Sequence, residues 1–231
     1  MSDVLHILFE DNHCLAVAKP APLLTQGVPP GIPTLEAMVK AYLKERYHKP
    51  GNVYLGIPHR LDRPVSGVLL FARTSKAAAR LAQQFREGSI DKIYWTVVEG
   101  EVNKPAGTLE AWLRKNDKMR RVEVVPPQTS GSLQALLHFT RKNIHDGLTW
   151  LELRPQTGRR HQLRVQLAHD GHPIYGDAKY GSIHTFGNAI ALHARSLTFL
   201  HPIRFEPITL SAELPRPWRG RFAYLLREAL K

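Results

Sequence analysis

The chain has 231 residues, 43% hydrophobic and 23% charged, enough apolar material to order most of it and too much for a disordered segment. Thirty-two Lys and Arg against 20 Asp and Glu leave a formal charge of +12, so a polyanion is the default partner, nucleic acid first and an acidic membrane surface second. The single cysteine, Cys14, excludes an internal disulfide framework and a cysteine-clustered zinc site. The longest apolar runs are five or six residues, too short to span a bilayer. Asp3, Glu10 and Asp11 precede the first Lys or Arg, Lys19, the reverse of a secretory or organellar signal. A soluble, cytoplasmic protein is expected.

In chain order, Leu5 to Phe9 and Cys14 to Ala18 flank a polar group and predict a β-hairpin. Pro20 to Pro33, with five prolines and two glycines, predicts a surface loop. Thr34 caps a helix with Leu35, Met38, Val39, Tyr42 and Leu43 at helical spacing. Ser66 to Arg73 is a short strand buried on both sides. A second helix is capped by Ser75, buries Ala78, Leu81, Ala82 and Phe85, and stops at Gly88. Ile93 to Val98 is a strand with Tyr94 on the face opposite Ile93 and Trp95.

The middle is less regular. Trp112 to Arg121 is basic and poor in aliphatics, and Pro126 to Gly131 breaks whatever strand Val122 to Val125 forms. Leu133 to Thr140 and Leu148 to Arg154 predict strands paired around Asp146-Gly147. Arg160 to Asp170 predicts a helix ended by Gly171. Ala191 to Leu200 and Ile208 to Leu214 are late strands. Trp218 to Leu230 is a closing helix with Phe222, Leu225, Leu226 and Ala229 inward. Many strands, few helices and no regular β–α alternation argue for an α+β fold around a mixed, largely antiparallel sheet with flanking helices. One folding unit over residues 1–231 is the simpler expectation.

No phosphate-cradling P-loop, dinucleotide fingerprint, nucleophile elbow or H-E-x-x-H is present. His169 and His172 are close in sequence, but no dense set of further ligands surrounds them, so no metal is expected. The informative segments are two. In His59-Arg60-Leu61-Asp62-Arg63-Pro64-Val65-Ser66-Gly67, an Asp between two arginines stays ionised. It suits a nucleophile, an electrostatic stabiliser or a general base, and equally a loop salt bridge. In Thr157-Gly158-Arg159-Arg160-His161-Gln162-Leu163-Arg164, four arginines counting Arg154 have no acidic residue between them. On a helix, His161, Arg164 and Val165 share a face and Arg160 stacks over Arg164. Such a stack needs an anion: Asp62, an RNA phosphate, or one of each. A solvated basic face is the plainer reading.

Together these segments resemble the RNA pseudouridine synthases, specifically the RluA group. His59-Arg60-Leu61-Asp62 with Ser66-Gly67 matches the signature around that group's catalytic aspartate. Lys19-Pro20 is similar to its first motif and Lys92-x-Tyr94 to the segment with its active-site tyrosine. Thr157 to Arg164, continued by Gly171-His172-Pro173-Ile174-x-Gly176-Asp177 and Tyr180-Gly181, resembles the late arginine motif. Leu192-His193-Ala194 through His201-Pro202 resembles the last one. Two departures stand out: Arg63-Pro64-Val65 replaces a pattern nearer Lys-Asp-Thr, and the appended N-terminal RNA-binding domain of many relatives is not expected.

The resemblance implies a catalytic cleft in which a uridine's N1–C1′ bond breaks, the base turns and C5 takes N1's place. Asp62, Tyr94 and Arg164 are then the expected catalytic residues, with Arg164 as the ion-pair partner of Asp62. His59, Arg60, Arg160, His161, Gln162 and Leu192 are expected to bind the substrate nucleotide. Arg114, Lys115, Lys118, Arg120 and Arg121, opposed only by Asp117, form a candidate RNA-backbone clamp, or else a solvated loop. Structured rRNA or tRNA is the expected partner of a monomer with no cofactor, metal or membrane. The alternative is a non-catalytic RNA-binding protein or RNA chaperone on the same fold, which needs the charge but not Asp62, Tyr94 and Arg164 together.

Overall fold

The structure, a computed structural model, describes residues 5–27 and 31–227. Its elements in order are β1 (Ile7–Glu10), β2 (Cys14–Lys19), α1 (Leu35–Arg46), β3 (Ser66–Ala72), α2 (Ser75–Glu87), β4 (Asp91–Glu99), β5 (Ala106–Asn116), β6 (Arg121–Val125), β7 (Leu133–His145), β8 (Leu148–Pro155), α3 (Gln162–His169), a 3-10 turn (Ala178–Tyr180), β9 (Leu192–Leu200), β10 (Pro207–Ser211) and α4 (Arg216–Arg221). This is the expected α+β fold with largely antiparallel pairing. No helix among the described residues is long and apolar enough to cross a membrane. The chain forms two compact units, Met1–Asp91 with Ala194–Glu213, and Lys92–His193 with Leu214–Lys231.

In the first unit β1, β2 and β3 lie side by side, β9 follows β3, and β10 pairs antiparallel with β9. Helix α2 closes one face, packing Ala77 and Leu81 with Cys14, Ala16, Val68, Leu70 and Phe199 into a buried cluster. The caps are written in the sequence. Thr34 Oγ1 accepts from the Ala37 N–H at 3.2 Å and starts α1. Thr74, not Ser75, does the same for α2 at 3.2 Å from Ala77 N. Ser75 is already helical, because Thr74 keeps the extended backbone that a cap requires. Gly88 ends α2 in the left-handed region at φ 71°. The proline-rich loop precedes α1 as expected, with residues 28–30 outside the described set.

In the second unit β4, β8, β7, β5 and β6 are neighbours in that order, every pair antiparallel. Asp146-Gly147 forms the β7–β8 turn with both residues at positive φ, the primed geometry that suits strand twist. The basic middle of the chain is more regular than its composition suggests. Arg114, Lys115 and Asn116 pair with Glu123, Val122 and Arg121 across a β5–β6 hairpin. Buried Leu113 and Val122 alternate with Arg114 and Glu123, which pair on the other face, a strand period with aliphatics too few to announce it. Against the sequence reading, α3 begins at Gln162, and His161 sits before it at φ 52°, so Arg160 and His161 do not share a helical face with Arg164. The closing helix is also shorter than expected: α4 ends at Arg221, where Phe222 joins Tyr175, Phe186 and Trp218 in an aromatic cluster, and Ala229 lies outside the described residues.

Gly67, second residue of β3, stands at φ 120°, and a Cβ there would land on the backbone of Ala194. Two penalties therefore coincide at Gly67→Ala, a strained backbone and an overpacked contact, each costing about 1–3 kcal/mol. Urea denaturation should show a loss of roughly 2 kcal/mol or more, and a midpoint equal to wild type would refute this close approach.

Candidate active site

Register places the aspartate turn. Lys19 at the end of β2 pairs with Gly67 at the start of β3, so the chain entering β3 from Asp62 passes beside Lys19. The turn is tied down by its backbone. Leu61 C=O accepts from buried Thr25 Oγ1 at 2.9 Å. Arg63 C=O accepts from Leu23 N at 3.2 Å and from Lys19 Nζ at 3.3 Å. Val65 N–H donates to Asp62 C=O at 3.1 Å and closes the turn over Arg63-Pro64. Asp62 itself is half-buried and Arg60 exposed. His59 Nε2 accepts from the Leu70 N–H at 2.9 Å, and its ring stacks on Phe85 at 4.5 Å. The imidazole expected to bind substrate is thus engaged in fixing the approach to Asp62.

Lys19 is 1% exposed. Its ammonium donates to three carbonyls, Pro20 at 3.0 Å, Leu23 at 2.6 Å and Arg63 at 3.3 Å. Burial pushes it down from an ordinary 10.5 to about 7, and the Asp62 carboxylate pulls in the other direction. In the sequence Lys19 stands out only as part of a motif, with no place in the site. Neither composition nor period can show that the proline-rich loop folds back onto the aspartate turn.

In the second unit the Thr157–Arg164 segment is a built turn. Gln162, 4% exposed, uses its amide internally. Its Oε1 accepts from Thr157 Oγ1 at 2.8 Å and Arg159 N at 3.0 Å, and its Nε2 donates to Leu136 C=O at 3.1 Å. Gln162 therefore shapes the arginine turn, where substrate contact was expected. Arg164, 6% exposed, reaches Asp177 side-on through Nε at 2.6 Å and Nη2 at 2.8 Å, and its guanidinium lies 5.1 Å from the centre of the Tyr180 ring. Asp177 is legible in the sequence only as the Gly-Asp that continues the arginine motif, 13 residues away.

Tyr180 joins the parts. Its hydroxyl accepts from the Val122 N–H at 3.1 Å and meets His161 Nδ1 at 2.7 Å. Tyr94 is half-buried on β4, opposite Leu153 of β8. Leu192 is 3% exposed at the start of β9. Of the candidate clamp, Arg114 is paired with Glu123 at 3.0 Å, Lys115 with Asp117, and Lys118 and Arg120 occupy the exposed hairpin turn, where Arg120 has φ 50°.

Asp11, Cys14 and His201 bring three metal-ligand atoms within 4.8 Å of one another in the first unit. Asp11 and His201 are already engaged, and the Cys14 thiol is held protonated. Asp11 accepts from His13 N, Cys14 N, His201 Nε2 and Arg204 Nη1 at 2.7–2.9 Å. His201 Nδ1 accepts from Arg204 N at 2.9 Å, which leaves the proton on Nε2, facing Asp11. Burial pushes the Cys14 thiol up to about 12. This donor set ties β1–β2 to the 201–204 turn and does not fit an ion.

The aspartate turn and the arginine turn are each fixed by hydrogen bonds within their own unit. The family profile described as RNA pseudouridylate synthase matches residues 13–169. The chain is 33% identical over 238 residues to a tRNA pseudouridine synthase C of Haemophilus ducreyi, covering 94% of each. It is 35% identical over 201 residues to the dual-specificity RNA pseudouridine synthase RluA of Vibrio vulnificus, covering 85% of this chain and 78% of that one. In fold it is similar to human RNA pseudouridylate synthase domain containing 4, with TM-score 0.79 at 22% identity over 95% of this chain and 92% of the other. The chain belongs to the RNA pseudouridylate synthase family. It is an RNA uridine isomerase, and the non-catalytic alternative is not favoured.

The buried cations have measurable consequences. Lys19 binds its proton more weakly folded than unfolded, so the unfolded chain holds more protons between about 7 and 10.5. The burial penalty is in full force below that window and fades as pH rises through it. The unfolding free energy of wild type relative to Lys19→Met should therefore grow from pH 7 upwards, and a pH-independent difference would contradict the shift. Asp177→Ala removes the two-point carboxylate partner of a buried guanidinium and should cost roughly 3–5 kcal/mol in chemical denaturation. Glu206→Ala, which breaks an exposed pair with Arg204, should cost under about 1 kcal/mol.

Proposed function

We propose that this chain converts specific uridines of structured RNA, rRNA or tRNA, to pseudouridine with Asp62 at the reacting centre, acting as a single catalytic domain and as a cytoplasmic monomer. The observation that carries the reading is the Asp62 turn, a carboxylate on backbone fixed by Thr25, Leu23, Lys19 and Val65. Positioning of that kind is what a group attacking or guarding C1′ requires. The names of the relatives cover tRNA and dual-specificity enzymes, which supports a structured RNA and leaves both classes as substrates to assay.

In the proposed reaction the N1–C1′ bond breaks, the base turns, and C5 bonds to C1′. The C5 proton passes to solvent and N1 gains one, so atoms and electrons balance without a redox partner. Asp62 supplies the anion beside C1′ and Arg164 is its charge partner. Tyr94 stacks on the base and takes part in removing the C5 proton. The target nucleotide must leave its stack, at a cost of a few kcal/mol, and Arg60 fills the vacated space or holds the flipped phosphate. His161, Arg160 and Leu192 complete the substrate contacts.

Asp62→Asn keeps the shape of the turn and removes the charge. It should abolish tritium release from C5-labelled uridine in bulk tRNA or an rRNA transcript while leaving RNA affinity within a few-fold of wild type. Activity within a few-fold of wild type would sink the assignment.

A further inference from the structure

The β5–β6 hairpin, the turn before α3 and the 3-10 turn meet around an open concavity of ≈ 500 Å³ lined by Lys115, Asp117, Arg120, Arg121, Arg160 and Lys179. Five of the six lining residues are cationic, and the one carboxylate is already paired with Lys115. All six belong to the second unit. They come from three separate stretches of sequence, and the basic run of the hairpin foretells only part of the group. Arg114, expected here, turns to Glu123 on the other face of the strand. Lys118 does not line the bowl, and Arg160 and Lys179 do.

The scaffold beneath is rigid for a physical reason. Tyr180, next to Lys179, binds the Val122 backbone of β6 and the His161 ring beside Arg160 through one hydroxyl. Val122 also packs with Leu113, Ala135 and Val165 of α3, with Tyr180 against them. One residue thus fixes the hairpin, the arginine turn and the 3-10 turn together, holding like charges close where mutual repulsion would spread them. An anion brought into the bowl relieves that repulsion. Three arginines among the cations favour planar, two-pronged recognition of phosphate oxygens. The Tyr180 ring also lies against Arg164, which ties the scaffold of the bowl to the buried arginine turn.

We infer that this bowl is a docking site for the phosphodiester backbone of the RNA substrate, built jointly by the hairpin and the arginine turn. The inference rests on the RNA-modifying reading above and adds where the strand is gripped. It concerns backbone and not bases, so it contributes affinity and register without sequence choice.

The test is a salt series. Fluorescently labelled bulk tRNA is titrated with wild type, with Arg120→Gln/Arg160→Gln/Lys179→Gln, and with a charge-loss control, Lys104→Gln/Lys142→Gln, two exposed positions of the same unit away from the bowl. For every phosphate no longer neutralised, the slope of log K against log salt flattens by about 0.7–0.9. The bowl variant should flatten by at least that much and bind most weakly, relative to wild type, at low salt, with a melting curve like wild type because its positions are exposed. The control should keep the wild-type slope. If the bowl variant keeps that slope too, or the control flattens as much, the bowl is not the docking site, while tritium release by wild type would still uphold the enzyme. If wild type itself neither binds RNA nor releases tritium, both readings fall.

Discussion

A lysine ammonium withdrawn from water governs the first unit. Burial of an isolated charge is costly enough that the group normally loses its charge or finds partners. Lys19 does some of each. Three carbonyls converge on its Nζ, and its proton affinity is reduced to a point near neutrality. The carbonyls belong to the start of the proline-rich loop and to Arg63, so the cost of burying Lys19 holds that loop against the turn that carries Asp62. Loops usually run over a surface, free to vary. This one is pinned because its carbonyls face a donor that has nowhere else to turn.

The second unit is organised by Tyr180 and the Arg164–Asp177 pair. A buried ion pair adds little net stability over apolar packing, so its value lies in specifying one arrangement. Two-point contact with Asp177 fixes the plane of the guanidinium, the Tyr180 ring covers it, and the Tyr180 hydroxyl ties the hairpin and His161 to the same point. Gln162 does equivalent work on the preceding turn with its amide. The residues of the Thr157–Arg164 segment divide accordingly. Thr157, Gln162 and Arg164 face inward and build the turn, while Arg159 and Arg160 are exposed.

How much of this can be read in the sequence depends on how local the cause is. Caps, the Asp146-Gly147 turn, the hairpin around Asp11 and the strand at Val68 to Phe71 are set within a few residues, and they emerge within a residue or two of where pattern places them. Thr74 caps α2 in place of Ser75 because both can accept the bond and only the backbone decides. The helix start moves to Gln162 because Gln162 and Thr157 offer the chain a hydrogen-bonded turn that competes with the first helical turn, a preference that spacing of apolar residues cannot register. Asp62 and Arg164 are legible through the resemblance, as residues in a known order. Lys19, Asp177 and Tyr180 stand in the motifs without a role, since their roles consist of contacts made across 44, 13 and 58 positions.

The two buried cations also explain why each is the residue it is. An arginine does not give up its proton inside a protein, so burying one demands a permanent counter-charge, and Asp177 meets its planar fork with two parallel bonds. A lysine is a point charge on a flexible stem that can shed its proton, and three carbonyls closing on one nitrogen suit that geometry and no planar fork. Exchanging the two residue types would fail at both places for opposite reasons. Arginine at 19 would carry an unremovable charge among carbonyls with no carboxylate in two-point contact, and lysine at 164 would leave Asp177 half-satisfied and the Tyr180 face without its flat partner. The contribution of Lys19 to the field around the aspartate turn is therefore conditional on protonation, whereas that of Arg164 in the arginine turn is fixed.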